Sequence, residues 1–274
     1  MLCMYLTIGK KKFDLSKPII IGVLNCTPDS FSGDGVLDVH KAVEQAEQMI
    51  QDGAHIIDIG GESSRPGSEP VSEQEELHRV LPVVEKLITK GILVSVDTYK
   101  ASVAQKCLEA GAHMINDITA GSDPNMFSVV SRFHVPYVIM HMQGNPKTMQ
   151  EQPFYNDVVA EVYAFFEDKL KKARSAGIKD IILDPGIGFG KRVEDNLTLI
   201  HKISNFTALD CPILIGASRK SFIGKITGEE VDQRLPGTLA AHVLALSFGA
   251  HIFRCHDVKE NKQALEIAKN ILSY

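Results

Sequence analysis

Eight short apolar runs recur along the 274 residues of this chain, at 19–25, 55–60, 93–98, 114–118, 136–141, 181–185, 212–217 and 251–256. Each is nearly continuous in hydrophobicity instead of alternating, which is the pattern of a parallel strand covered on both faces. Helical patterns lie between them. Residues 39–51 place Ala42, Val43, Ala46, Met49 and Ile50 at helical spacing and stop at Gly53. Residues 72–90 open with Ser72 and Glu75 at capping-box spacing and end at Gly91. Further patterns cover 156–176, which ends at Gly177, then 193–206, 239–249 and 259–272.

A strand–helix unit repeated this often, with no linker or composition break, predicts an α/β fold whose sheet closes on itself. The expected architecture is a (β/α)8 TIM barrel formed by residues 1–274 as a single domain. A doubly wound open sheet is the alternative on pattern alone. Ahead of the first unit, 4–8 and 12–15 flank Gly9-Lys10 and read as a short N-terminal β-hairpin, suited to cap the bottom of the barrel.

The charge balance narrows the partners. Lys and Arg number 29 against 34 Asp and Glu, for a net charge of −5, so neither nucleic acid nor an anionic membrane surface is expected. Runs such as 19–24 are far too short to span a bilayer, and no secretory leader is expected from the N-terminal residues. Cys3, Cys26, Cys107, Cys211 and Cys255 are scattered, with no C-x-x-C pair, which suits reduced thiols in the cytoplasm and carries no zinc pattern.

In such a barrel the active site is built where strands end and the following loops begin. Most of these strands end in polar residues: Asn25; Asp58 and Glu62, followed by Ser63, Ser64 and Arg65; Asp97; Asn116 and Asp117; His141; Asp184; Ser218, Arg219 and Lys220; Arg254 and His256. Buried polar groups need a partner or a ligand. Asn116, Asp97 and Asp184 suit a flat heterocycle rich in N–H groups, because a carboxylate pairs with an amidine-like edge. Arg65, Arg254, His256 and Asn25 suit an anion such as diphosphate, and Asn25 offers an oxygen to Mg2+, which takes few protein ligands and keeps phosphate oxygens and waters. Plainer readings stand beside these. Asp58 reads as a loop cap, Asp117 as a turn cap, His141 as a satisfied core histidine, and His40, His78 and His201 as surface residues. Asp184-Pro185-Gly186 reads as a tight turn. Gly186, Gly188 and Gly190 lack the spacing of a dinucleotide loop.

At these strand ends the residues become specific. Asn25-Cys-Thr-Pro-Asp-Ser-Phe-Ser32, Gly60-Gly-Glu-Ser-Ser-Arg-Pro-Gly67, Ser95-Val-Asp-Thr98 and Ile115-Asn-Asp-Ile118 come first. Met140-His-Met-Gln-Gly144, Leu183-Asp-Pro-Gly-Ile-Gly-Phe-Gly-Lys191, Gly216-Ala-Ser-Arg-Lys-Ser-Phe-Ile-Gly224 and Arg254-Cys-His-Asp-Val258 follow. This ordered set resembles the pterin-binding family, and within it the dihydropteroate synthases. The resemblance implies condensation of 6-hydroxymethyl-7,8-dihydropterin diphosphate with 4-aminobenzoate, releasing diphosphate. It implies a pterin pocket at Asp97, Asn116, Asp184 and Lys220. It implies a diphosphate and Mg2+ site at Asn25, Arg65, Arg254 and His256, with Asn25 as metal ligand. The aminobenzoate site, which sulfonamide inhibitors mimic, maps to Ser64, Pro66, Phe189, Lys220 and Ser221. Catalytic roles then fall on Asn25, Arg65, Lys220, Arg254 and His256, and the family's habit implies a homodimer through the late helices.

Three departures from the family's pattern stand out. Its first loop commonly reads Ser-Phe-Ser-Asp-Gly-Gly, whereas Phe31-Ser-Gly-Asp-Gly35 moves the acid to Asp34. Ser64 stands where Thr is usual, and Cys255 and Ile187 replace Val and Phe. The altered first loop keeps a non-catalytic pterin-binding paralogue as the rival from another class. A methyltetrahydrofolate:corrinoid methyltransferase is the rival enzyme, although it would have no use for the anion-binding arginines. On this reading Asp97→Ala abolishes pterin binding and Arg254→Ala mainly slows turnover.

Overall fold

Strands that are apolar on both faces must be covered on both, and this chain covers them by closing eight of them into a ring. The computed structural model describes residues 5–27, 38–63, 67–144 and 147–274. The ring strands are β3 (Ile19–Asn25), β4 (Ile56–Gly60), β5 (Val94–Asp97), β6 (Met114–Asp117), β7 (Tyr137–Met140), β8 (Ile181–Asp184), β9 (Leu214–Ile215) and β10 (Ile252–Cys255). All are parallel, in the order β8-β7-β6-β5-β4-β3-β10-β9. A parallel bridge between Leu183 and Ile213, with Leu183 N–H donating to the Pro212 carbonyl at 2.9 Å, joins the two ends and excludes the open sheet.

The strands lie within the expected runs, and β9 is the most shortened. Its neighbours find side-chain partners in place of the ladder: Ile213 N–H donates to His251 Nδ1 at 3.2 Å and Ala217 N–H to His242 Nε2 at 3.2 Å.

Helices pack outside: α1 (Val39–Asp52), α2 (Glu73–Thr89), α3 (Ala101–Glu109), α4 (Met126–Phe133), α5 (Val158–Ser175), α6 (Val193–His201), α7 (Ser221–Thr227), α8 (Leu235–Ser247) and α9 (Val258–Ile271). Three of these, α3, α4 and α7, are absent from the sequence reading; at seven to nine residues they show too few turns for a clear period. The pattern at 193–206 divides into α6 and a 3-10 segment, Ile203–Leu209. Ser72 does cap α2, accepting from Glu75 N–H at 3.1 Å, but the Glu75 carboxylate turns to Arg79 instead of closing the box.

Alternate residues of each strand divide the interior. Ile20, Ile57, Val94, Ile115, Ile139, Leu183 and Phe253 face the helices in one large core. Ile19, Ile21, Ile56, Leu93, Met114, Val138, Ile182, Leu214 and Ile252 fill the lower barrel in a second. The N-terminal hairpin, β1 (Tyr5–Ile8) and β2 (Lys11–Asp14), turns through Gly9-Lys10 and gives Leu6 and Ile8 to this lower cluster, so it plugs the bottom as expected.

Candidate active site at the C-terminal end of the barrel

Two residues further along the same inward-facing rows, the chemistry changes. Ile56 is followed by Asp58, Leu93 by Ser95 and Asp97, Met114 by Asn116, Ile182 by Asp184 and Ile252 by Arg254. With a side-chain period of two, these residues share the inner face at the C-terminal end of the strands.

Arg254 ties this layer together. Its Nε donates to Asp58 Oδ2 at 2.6 Å and its Nη2 to Asp97 Oδ2 at 2.7 Å. Asn116 Nδ2 donates to the same Asp58 oxygen at 3.0 Å. Burial by itself would lower the Arg254 pKa, but Asp58 and Asp97 outweigh it and the guanidinium is held firmly charged. Burial raises the Asp97 carboxyl above the usual carboxylate range, against the pull of Arg254 and with added repulsion from Asp58. Arg254, from the set expected for an anion, is therefore bonded into the set expected for the heterocycle, to Asp97 directly and to Asn116 through Asp58. Asp58 is not a loop cap. It is the buried counter-ion of Arg254, and its Oδ1, like Ser95 Oγ across the β4–β5 ladder, has no partner among the described residues.

Asp184 sits at the end of β8, where its Oδ1 accepts from Gly186 N–H at 2.7 Å, so Asp184-Pro185-Gly186 is both a tight turn and a wall of the site. Burial pushes its carboxyl up to about 6, opposed by that hydrogen bond and by Lys220. Lys220 lies 3.9 Å from the centroid of the Phe189 ring, a cation–π contact. Burial lowers its ammonium to about 8, with Arg254 adding repulsion and Asp184 and Asp97 opposing. Ser221 follows as the first residue of α7.

At the β9 and β10 ends, Ser218 Oγ meets His256 Nδ1 at 3.0 Å. Burial lowers His256 to about 4, with Arg254 and Arg219 adding to the effect, so the ring is neutral near pH 7 and offers an anion a hydrogen bond, not a charge. Arg219 is held in the left-handed region at φ 56°. Its N–H donates to Thr238 Oγ1 at 2.9 Å, its carbonyl accepts from Arg234 at 3.2 Å, and its guanidinium pairs with Asp257 through Nε at 2.9 Å. Backbone strain held by surrounding bonds is a mark of functional turns, and this turn aims Lys220 and Ser218.

Asn25 is half-buried at the end of β3, and its side-chain amide has no hydrogen-bond partner among the described residues. Among the described residues no three His, Cys, Asp or Glu side chains cluster as a metal cage. Ser64, Arg65 and Pro66 lie outside the described residues, as do Cys3 and the first loop with Phe31 and Asp34.

Other strand-end residues are structural. Asp117 caps its turn, accepting from Thr119 N–H at 2.7 Å, Gly121 N–H at 2.9 Å and Tyr137 OH at 2.6 Å. Glu62 accepts from Tyr99 OH at 2.6 Å and pairs with Lys100, which also pairs with Glu76. It anchors the second loop. His141 is buried against Phe165 and Tyr155. His40, His78 and His201 are exposed on helices. The supporting contacts of Asp58 and Glu62 and the Arg219–Asp257 clamp escaped single-residue reading, because their partners are remote in sequence.

The pterin-binding enzyme family matches residues 21–256. The dihydropteroate synthase of Escherichia coli strain K12 is 46% identical over 264 residues, covering 95% of this chain and 94% of that protein. That of Bacillus subtilis strain 168 is 47% identical over 249 residues, covering 89% and 85%. Among solved structures, the Yersinia pestis dihydropteroate synthase with a sulfonamide drug superposes with a TM-score of 0.94 at 42% identity, covering 99% of this chain and 100% of that one. The Thermus thermophilus dihydropteroate synthase in complex with 4-aminobenzoate superposes at 0.90 and 41%, covering 98% and 100%.

Proposed function

The chain belongs to the pterin-binding enzymes, and within them to the dihydropteroate synthases, and from that premise we propose how its strand-end residues share the work. The reaction joins 6-hydroxymethyl-7,8-dihydropterin diphosphate to 4-aminobenzoate and yields 7,8-dihydropteroate and diphosphate. The observation that carries the assignment of roles is the Arg254 network, which places a half-buried cation between the carboxylates suited to a pterin and the end of β10 suited to an anion.

In this reading Asp97, Asn116 and Asp184 hold the N–H-rich edge of the pterin, and Lys220 flanks it. Arg254, His256 and Arg65 receive the diphosphate. Ser64, Pro66, Phe189, Lys220 and Ser221 take the aminobenzoate, the compartment that sulfonamides would occupy. The pterin CH2–O bond breaks, and the oxygen leaves with the electron pair as diphosphate, whose charge Arg254 and Arg65 balance. The electron-rich dihydropterin ring shares the positive charge left on the carbon. The amine nitrogen of 4-aminobenzoate then bonds to that carbon and gives up one proton to solvent. A neutral arylamine needs no strong base, so the protein's contribution is positioning and preorganised charge.

Mg2+ fits this site as a cofactor. Among the described residues the Asn25 side-chain oxygen has no partner and no carboxylate cage is present, which suits an ion held largely by phosphate oxygens and water. Asn25 would hold it, and bound there it would supply charge neutralisation to the leaving diphosphate. A homodimer is the expected assembly. An apolar groove of about 520 Å3 runs between α8 and α9, lined by Leu239, Val243, Ala264, Ile267 and Ile271, on the side of the molecule those late helices form. A cytoplasmic location is supported by the free buried thiols Cys26, Cys107, Cys211 and Cys255. No helix of the described residues is long and apolar enough to cross a membrane.

Incubation of the protein with pterin diphosphate, Mg2+ and 4-aminobenzoate, with released diphosphate measured, tests the assignment. Release that depends on aminobenzoate is the expected result. Binding without release would leave only a pterin-binding paralogue.

A further inference from the structure

Lys191 is a buried lysine, 3% exposed, that forms no ion pair with any carboxylate among the described residues, and burial lowers its ammonium to about 7, opposed by Asp184 and Asp195. Buried charges normally have a counter-ion or a full set of hydrogen bonds. Here the hydrogen bonds are complete. Nζ donates to the Phe189 carbonyl at 2.9 Å, to the His141 carbonyl at 3.3 Å and to His141 Nδ1 at 3.0 Å, which matches the three donors of an ammonium. Burial lowers His141 to about 3, with Lys191 itself adding to the effect, so its ring is neutral and Nδ1 is free to accept.

These bonds fasten the turn after β8 to the end of β7, and the rest of that turn is fitted equally closely. A Cβ on Gly186 would meet the His141 carbonyl oxygen at 1.9 Å, and one on Gly190 would meet the Gln143 carbonyl oxygen at 2.5 Å. Tyr155 OH donates to the Gly190 carbonyl at 2.7 Å, and Gly188 N–H to Asn196 Oδ1 at 2.6 Å. Phe189, at the centre of the turn, presents its ring to Lys220.

We propose that Lys191 is a positioning residue for the aminobenzoate half of the site, fixing the Phe189 ring against Lys220 by stapling the turn 186–190 to β7. The inference rests on the reading of Phe189 and Lys220 as the aminobenzoate compartment. Asp97 and Asn116 stand on other strands, β5 and β6, and Lys191 touches neither; Asp184, bonded to Gly186 N–H at the start of the turn, is itself held in the β7–β8 ladder, so the loss falls first on the aminobenzoate half.

Lys191→Met keeps the stem and removes all three donors. The expected result is a rise of about tenfold in the KM for 4-aminobenzoate, with the affinity for pterin diphosphate, measured by calorimetry, within about twofold of wild type. A general loosening of the fold would weaken both substrates together. An unchanged aminobenzoate KM, or equal losses for both substrates, overturns the proposal. Should Lys191→Met not fold, His141→Phe decides. It keeps the ring and removes one acceptor, and the aminobenzoate KM rises by about threefold if the staple matters and stays at the wild-type value if it does not. Wild-type turnover separates the two levels of failure: an inactive wild type breaks the functional reading, whereas an active wild type with an indifferent staple breaks only this inference.

Discussion

The bottom and the mouth of this barrel are lined by the same strands, two residues apart, and they answer opposite demands. At the bottom, Ile56, Leu93, Met114, Ile182 and Ile252 meet the hairpin residues Leu6 and Ile8 in an apolar cluster. At the mouth, the next inward residues are Asp58, Ser95, Asn116, Asp184 and Arg254, two of which keep a buried oxygen without a partner among the described residues. A layer designed only for stability would not keep orphaned oxygens, since each costs about 1–3 kcal/mol. One step of the strand period therefore separates residues that hold the fold from residues held ready for a ligand.

Four perturbations sharpen this contrast, taken from the largest effect down. Arg254→Ala removes the counter-charge of both Asp58 and Asp97. It is expected to lower kcat by about 10²–10³-fold and stability by about 3–5 kcal/mol, because a broken buried pair leaves its carboxylates uncompensated. This adds a stability loss to the expectation from sequence, in which Arg254→Ala mainly slowed turnover. Denaturant unfolding together with steady-state kinetics separates the two losses. Ile182→Ala, at a fully buried position of the lower layer, is expected to cost about 2–5 kcal/mol of stability with both KM values unchanged. A shift in either KM would mean that the layers are not independent.

Acidity touches only the mouth. Burial holds the Asp184 carboxyl near 6 and raises that of Asp97, while the pterin edge needs ionised acceptors. Pterin affinity is thus fully present above about 7, falls by about tenfold per unit as Asp97 protonates below it, and falls more steeply below about 6, where Asp184 protonates as well. Affinity measured by calorimetry across that range checks the sign, and an increase at low pH would reverse it. The smallest effect belongs to Ser95→Ala, which removes an unpartnered hydroxyl and should raise the unfolding free energy by about 1 kcal/mol, the low end of what an orphaned oxygen costs.

Much of this contrast was visible in the sequence, because strand faces repeat every two residues and a polar residue ending an apolar run is conspicuous. Asn25, Asp97, Asn116, Asp184, Lys220, Arg254 and His256 were found that way, and Phe189 through its motif. What was not visible depends on register between distant strands. The Arg254–Asp58 bond joins residues 196 apart in the chain, so Asp58 alone looked like a cap. That His256 meets an anion as a neutral ring follows from its burial beside Arg254 and Arg219, which no local pattern reveals. Lys191 looked like the end of a glycine-rich motif, since its acceptors lie on another strand. The short helices escaped because local period weakens below about three turns.

The central claim is that the mouth layer is a pterin pocket whose carboxylates do the recognising. Titration of pterin diphosphate into wild-type protein and Asp97→Ala, by calorimetry at pH 7.5 or above, where the free pocket is ionised, tests it most directly. The account predicts a loss of at least about 10²-fold in affinity for the variant, the scale of a charge-assisted paired contact. Equal affinity for the two proteins would contradict it.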